Sequence, residues 1–391
     1  MKTIHSVSLL VAVGAVAVVG GCELALRAAP CPCAEGWTCC PAGNICVLEA
    51  SECVADADGG TGDAAGHSDA GIPQGNPQTG VATLATGTPG AYDIAVDETH
   101  VYWVASGMAA PTDTDAQILR VAKWGGTPEV VLTLPPRVYH FTLDSTHVYV
   151  AHHNSPQGGA VEGAGAILRV PKAGGAAETV AAGLTAPYAI AVDEQDVYWS
   201  KGFAYTGAIS RTPKAGGAVV TLGDGVDNPW DLALDDTFVY YTEMNKGRVM
   251  RLAKAGGAPA ELASGWVGTG TVAVDDTSVF FTACPTGPCE EQRLYAVPKT
   301  GGPTRLLASR SSAGGDGAVQ VGPTWVYWSG IRAGASEASL GVIDMVARVG
   351  GDLLPLVAGL DAPIAIAAEP DGSSVYWVDV ISGDVGRVWL P

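Results

Sequence analysis

From Val81 onward, short apolar runs alternate with polar, glycine-rich turns, and the runs recur. Val101-Tyr102-Trp103 returns as Val148-Tyr149-Val150, Val197-Tyr198-Trp199, Val239-Tyr240-Tyr241, Val279-Phe280-Phe281, Val326-Tyr327-Trp328 and Val375-Tyr376-Trp377. The seven copies stand 40 to 49 residues apart. Runs this short, rich in β-branched and aromatic residues and bounded by turn residues, predict strands. No stretch of the repeat region has a helical period of useful length.

Each period holds four strands, lettered a to d. Strand a precedes the triplet and ends in Asp97, Asp144, Asp193, Asp235 or Asp275, with Gly322 and Glu369 departing. Strand b is the triplet. Strand c reads Ile118-Leu119-Arg120-Val121 in the first repeat and Val385-Gly386-Arg387-Val388 in the last. Gly-Gly pairs follow it at 125, 174, 216, 256, 301 and 350, where a tight hairpin into strand d requires positive φ. Four short strands at this period predict an all-β fold, a seven-bladed β-propeller over 81–391. The last repeat stops after strand c, whereas Val81–Thr86 resembles the d strands. This N-terminal strand is therefore expected to complete the last blade and close the ring.

Three shorter regions precede the repeats. Residues 1–22 comprise Lys2, an apolar run from Val7 to Gly21 too short to span a bilayer comfortably, and Cys22. Val19-Gly20-Gly21-Cys22 resembles the bacterial lipobox, which implies a signal peptide and lipid on Cys22. Glu23, with no aspartate after the cysteine, implies sorting to the outer membrane and a lipid-anchored place in the cell envelope. Residues 23–53 hold Cys31, Cys33, Cys39, Cys40, Cys46 and Cys53. In an exported chain that even cluster reads as a disulfide framework; no histidine lies inside it to favour a metal knot. Cys284 and Cys289 form a further candidate disulfide. Residues 54–80 carry almost no large apolar side chain and read as a disordered, flexible linker.

The formal net charge of −19 argues against nucleic acid, which needs clustered Lys and Arg. Val375-Tyr376-Trp377-Val378-Asp379 with Arg387 resembles the YWTD repeat of receptor propellers. Trp230-Asp231-Leu232-Ala233-Leu234-Asp235 through Tyr240-Tyr241-Thr242-Glu243 to Arg251 is similar to NHL-type and streptogramin-B-lyase-type propellers. The whole resembles the propeller lipoproteins of bacteria. These families include receptors, scaffolds, sensors and a few enzymes, so the likeness speaks to fold more than to function.

Propeller geometry puts the d-to-a and b-to-c loops on one face and the a-to-b and c-to-d turns on the other. The turns repeat between blades whereas the b-to-c loops diverge, which makes the b-to-c face the binding candidate. At its channel mouth, strand a opens with Tyr92, Asp93, Tyr139, His140, Tyr188, Trp230 and Asp231, and Glu243 lies nearby. The rings can cover an apolar or sugar-like surface, and Asp93, His140 and Asp231 are candidates for one divalent cation. No other cofactor is indicated. His100 and His147 share a turn position, which repetition explains; the pair His152-His153 can chelate together only from a loop. No motif of nucleophilic, zinc-dependent or phosphate-binding catalysis occurs, and no catalytic residue is assigned. The expected function is a membrane-anchored binding or scaffold protein for a protein or glycan ligand in the envelope. The alternative is a metal-dependent lyase or lactonase of the propeller type.

Overall fold

The computed structural model describes residues 80–390, apart from 89, 107–114, 154–160, 203–205, 286, 288, 313–316 and 334–340, and the backbone of 38–40 and 45–47. The side chains of Cys22 and the clustered cysteines, and the linker before Gly80, lie outside the described residues. Within the cysteine-rich region, Thr38–Cys40 and Ile45–Val47 pair antiparallel, with Cys39 opposite Cys46. The remaining strands form seven four-stranded sheets, and no helix occurs among the described residues.

Blade 1 runs Ala91–Val96 (a), His100–Ala105 (b), Ala116–Ala122 (c) and Glu129–Leu134 (d). Blades 2 to 6 repeat that order, and each strand a touches the next around the full ring. Blade 7 is composite. Pro363–Ala368, Ser374–Asp379 and Val385–Trp389 are joined on the outer edge by Val81–Ala85, with Ala82 opposite Arg387 and Thr83 opposite Gly386. The Gly-Gly turns have positive φ at both glycines, from Gly125 and Gly126 in blade 1 to Gly350 and Gly351 in blade 6.

The triplets are apolar without interruption because both faces of each sheet are covered. Side chains alternate along strand b. Tyr102 and Val104 pack with Phe141 and Val148 of blade 2, whereas Val101 and Trp103 pack with Tyr376 and Val378 of blade 7. The core thus lies between blades.

A second device ties blades together on the a-to-b face. Asp97 Oδ1 accepts hydrogen bonds from the backbone N–H of Thr99 and His100, both at 2.8 Å, and Oδ2 accepts one from Tyr102 at 3.1 Å. Lys172 of the next blade reaches the same carboxylate at 3.0 Å. Lys214–Asp144, Lys254–Asp193, Lys299–Asp235 and Lys123–Glu369 repeat the bridge at 3.0, 2.8, 2.8 and 2.6 Å, and Arg348 pairs with Asp275. The arginine column of strand c forms no basic patch. Arg120, Arg169, Arg251 and Arg387 each donate to the backbone carbonyl of the bridging lysine on the next blade.

One junction lacks the bridge. Gly322 stands in blade 6 where the other blades have an acid, and a Cβ there would lie 3.0 Å from the Tyr327 ring. Its cation would have come from a c-to-d turn in blade 7, which has none because its outer strand arrives from the N-terminal side. An acid at 322 would therefore face no lysine. Strand a of blade 6 is also the shortest, Val319–Val321.

These contacts make two outcomes testable. Deleting residues 80–86 should bare the Val385–Trp389 edge and uncover the cluster around Leu84, lowering stability by several kcal/mol, a large share of a domain's net stability. A thermal melt unchanged from wild type would refute closure by this strand. Burial alone would raise the carboxyls of Asp193 and Asp235, but lysine, tyrosine and backbone donors hold both down at about 2. A depressed pKa gives stability that is complete above the unfolded value of 3.8 and is lost as pH falls towards 2. Acid titration of the folded protein by near-ultraviolet circular dichroism should show that loss, and Asp235→Asn should flatten it.

Candidate binding site at the channel mouth

Strand a does not run straight. Its register with strand b shifts near its start in six blades, between Ala91 and Asp93 in blade 1 and between Pro229 and Leu232 in blade 4, for example. A bulge re-aims side chains and frees backbone N–H groups from the ladder. Side chains take up the freed donors: Ser200 Oγ accepts from Ala189 N at 3.1 Å and Thr282 Oγ1 from Thr271 N at 3.1 Å.

In blades 1 and 4 an aspartate of strand a accepts from the N–H of the residue after it. Asp93 Oδ1 accepts from Ile94 N at 2.9 Å, and Asp231 Oδ1 from Leu232 N at 2.8 Å. Their second oxygens reach the neighbouring blade, accepting from Phe141 N at 3.1 Å and Val272 N at 2.9 Å. Both acids therefore fasten one inner strand to the next. Asp93 also meets His140 Nδ1 at 3.4 Å.

The registers put Tyr92, Tyr139, Tyr188 and Trp230 at one position of four consecutive blades, and Gly270, Gly317 and Ile364 at that position in the other three. The rings form a chain: Tyr92–Tyr139 at 5.4 Å, Tyr139–Tyr188 at 5.7 Å and Tyr188–Trp230 at 5.2 Å between centroids, with His140 edge-on to Tyr188 at 4.6 Å. The mouth is lopsided, with rings over blades 1 to 4 and small or aliphatic positions opposite.

The expected four-ring platform is narrower than the sequence suggests. Tyr139 and Tyr188 are only 8% and 2% exposed and belong to the core around Ile209 and Leu222. The bulge turns these two rings into the junction between blades. Tyr92, Asp93, His140, Trp230 and Asp231 remain partly exposed. Glu243 is not part of this surface. It is buried, accepts from Asp227 N at 2.9 Å and pairs with Arg248, so it secures the loop entering strand a. Asp379 does the same in blade 7, accepting from Asp361 N and Ala362 N.

No group of three or more His, Cys, Asp and Glu side chains among the described residues is arranged to hold a metal ion. Asp93, His140 and Asp231 thus do not converge as a ligand set, and their carboxylate oxygens are engaged by backbone donors. His152 and His153 are both buried, and burial lowers their pKa values, with Arg137 adding to the effect at His153. His100 and His147 each hydrogen-bond the preceding threonine hydroxyl at 2.7 Å, as repetition predicts. Cys284 and Cys289 are disulfide-bonded in the b-to-c loop of blade 5.

Two features lay beyond sequence reasoning. Arg137, Ala186 and Asn228 have φ of 79°, 47° and 45° just before strand a, where blade 1 has Gly90. Positive φ at such residues costs about 1–3 kcal/mol each and is retained where the surroundings enforce it. All three border the ring-bearing blades. Between blades 5 and 6, Arg310 of the outer strand is buried on the Trp328 ring at 3.7 Å, bonded to Gln292 at 3.2 Å and Asp344 at 3.3 Å. Desolvation pushes the Arg310 pKa down to about 10 against the attraction of Asp344, which also pairs with Arg332. Gly330 is obligatory there, since a Cβ would collide with the Arg310 guanidinium.

The fold and this lopsided mouth define a seven-bladed propeller with one differentiated face. No protein family and no curated protein matches the sequence. Among solved structures, virginiamycin B lyase from Staphylococcus aureus is similar with a TM-score of 0.56 and 15% identity, over 80% of this chain and 98% of that one. A streptogramin B lyase structure is similar at 0.55 and 15%, over 80% and 97%. The computationally designed protein Ika8 is similar at 0.51 and 13%, over 79% and 98%. At such identities the likeness establishes the propeller fold alone.

The mouth has a distinctive charge balance. Burial disfavours the His140 imidazolium, but the contact with Asp93 and the charges of Asp93 and Asp231 outweigh it and raise its pKa above 6.5. Burial lifts Asp231 to about 6, against the backbone donors and His140 that lower it. Both groups favour the protonated form in the fold, so their contribution to stability is complete at low pH and lost as pH rises through the folded values. A histidine NMR titration should place His140 above 6.5, and Asp93→Asn should move it down. An unmoved midpoint would mean that Asp93 does not hold the charge.

Proposed function

We propose that this protein is a lipid-anchored binding protein of the bacterial envelope, which recognises a protein or glycan ligand at the channel mouth of blades 1 to 4. The observation that carries this reading is the contrast between faces. One face repeats the same carboxylate–cation bridge at six junctions, whereas the other concentrates partly exposed rings, acids and an imidazole on one side of the opening. Tyr92 and Trp230 supply flat apolar surface, and Asp93, His140 and Asp231 supply orientation. The anchor is Cys22 and the destination the outer membrane, both supported by the N-terminal sequence.

The Asp231 carboxyl, lifted to about 6 beside an imidazole whose own pKa is raised, favours a second reading, acid–base chemistry in a lyase or lactonase assisted by a divalent cation. Capture of envelope components and a glycan array, read with the lipid-free propeller, test the first reading. Trp230→Ala should weaken capture by about 1–3 kcal/mol while leaving the thermal melt in place. Turnover abolished by chelator and by His140→Ala, with a divalent ion bound stoichiometrically, would replace binding with catalysis. For the anchor, radiolabelled palmitate should enter the wild type and be absent from Cys22→Ser; an unlabelled wild type would remove it.

A further inference from the structure

The c-to-d turns carry a small residue before each Gly-Gly pair in four blades: Ala173, Ala215, Ala255 and Thr300. Blade 1 carries Trp124 instead, 59% exposed, and Trp389 at the end of strand c in blade 7 is 42% exposed. The two lie on either side of the junction that closes the ring. Arg387 links them: its guanidinium stacks on Trp389 at 4.5 Å and donates to the carbonyl of Lys123, next to Trp124, at 3.3 Å.

Arg387, like Arg251 and unlike Arg120 and Arg169, faces an alanine on the outer strand. Arg120 and Arg169 each meet a glutamate on their own strand d, Glu129 and Glu178. In blade 7 that partner position is Ala82, because the outer strand comes from the N-terminal side, and Arg387 has no carboxylate partner among the described residues. Ser374 and the Lys123 carbonyl take three of its donor contacts, which leaves N–H groups of the five for an external acceptor. Val349, the blade 6 counterpart of Trp124, adds exposed apolar surface on the same face. The neighbouring a-to-b turns carry exposed Glu98 and Asp371, which disfavour a strongly anionic surface.

We propose that this face docks on a phospholipid surface, with Trp124 and Trp389 in the headgroup layer and Arg387 against lipid phosphate. Indole rings flanked by a guanidinium suit that layer, where one end of the side chain is apolar and the other wet. The route of the chain favours lipid over another protein. The segment from Cys22 enters the propeller at Gly80, whose carbonyl accepts the Trp389 N–H at 2.8 Å, so an anchored chain reaches the ring at this patch. The inference rests on the lipid-anchor reading, and its consequence is orientation: docking here turns the ring-bearing mouth away from the membrane.

The test uses the chain without residues 1–22, so that neither lipid on Cys22 nor the apolar run Val7–Gly21 can bind and only the face remains, and flotation with protein-free phosphatidylcholine vesicles. This protein should float, with little response to salt. Adding Trp124→Ala should lower the vesicle-bound fraction about tenfold, as expected for one indole leaving the interface, without shifting the thermal melt. Vesicles with brominated acyl chains should quench fluorescence in the parent and less in the variant. The proposal falls if the protein without residues 1–22 stays unbound, if Trp124→Ala floats equally well, or if flotation requires envelope protein in the vesicles. Failure of the anchor reading has a different signature, an unlabelled wild type alongside a protein without residues 1–22 that still floats.

Discussion

The structure depends on burying strand b from both sides. A sheet with Tyr102 pointing one way and Val101 and Trp103 the other has no solvent face, so a single blade has nowhere to place its side chains. Each blade needs a neighbour on both flanks, and only a closed ring supplies this to all of them. Full burial of side chains this large is worth about 1.5–3 kcal/mol apiece, well above an exposed ion pair. The carboxylate–cation bridges therefore act mainly on geometry, fixing the angle at which apolar sheets already pressed together meet.

The same closure shapes the mouth. Innermost strands converge on a narrow channel, and their bulges leave backbone donors that side chains must satisfy. Asp93 and Asp231 do so while binding adjacent blades to each other. A residue at this position has a structural obligation before any ligand arrives, and what it offers to solvent is its remaining lone pairs. That explains how two acids lie in one opening with most of their oxygens already engaged by backbone donors.

Much of the fold was legible because it repeats. Seven triplets, six Gly-Gly pairs and a last repeat without its fourth strand specify blade number, hairpins and closure without any single residue being decisive. The cations of the bridges, five lysines and Arg348, were visible too, two residues before each Gly-Gly pair, but their partners are local only in space: Lys172 meets Asp97 across a blade boundary. The site was legible as a neighbourhood and misread in detail. Strict alternation would send Tyr139 and Tyr188 to the channel, and the bulge breaks that phase and buries them. Glu243 reads in sequence as part of the b-to-c loop, yet the register places it opposite Pro229, where Arg248 and the backbone claim it. Arg310 gave no signal, since its setting is assembled from Trp328, Gln292 and Asp344, which are distant in the chain.

The missing bridge between blades 6 and 7 bears on how such rings change size. At every other junction an extra blade would separate an acid from the cation it was matched to. Between blades 6 and 7 there is no pair to separate, and Gly322 makes no demand on the neighbouring blade. A duplicated unit inserted after blade 6 leaves all the existing bridges intact. The composite blade, which makes closure possible, thus also makes this junction the point where blade number is least constrained.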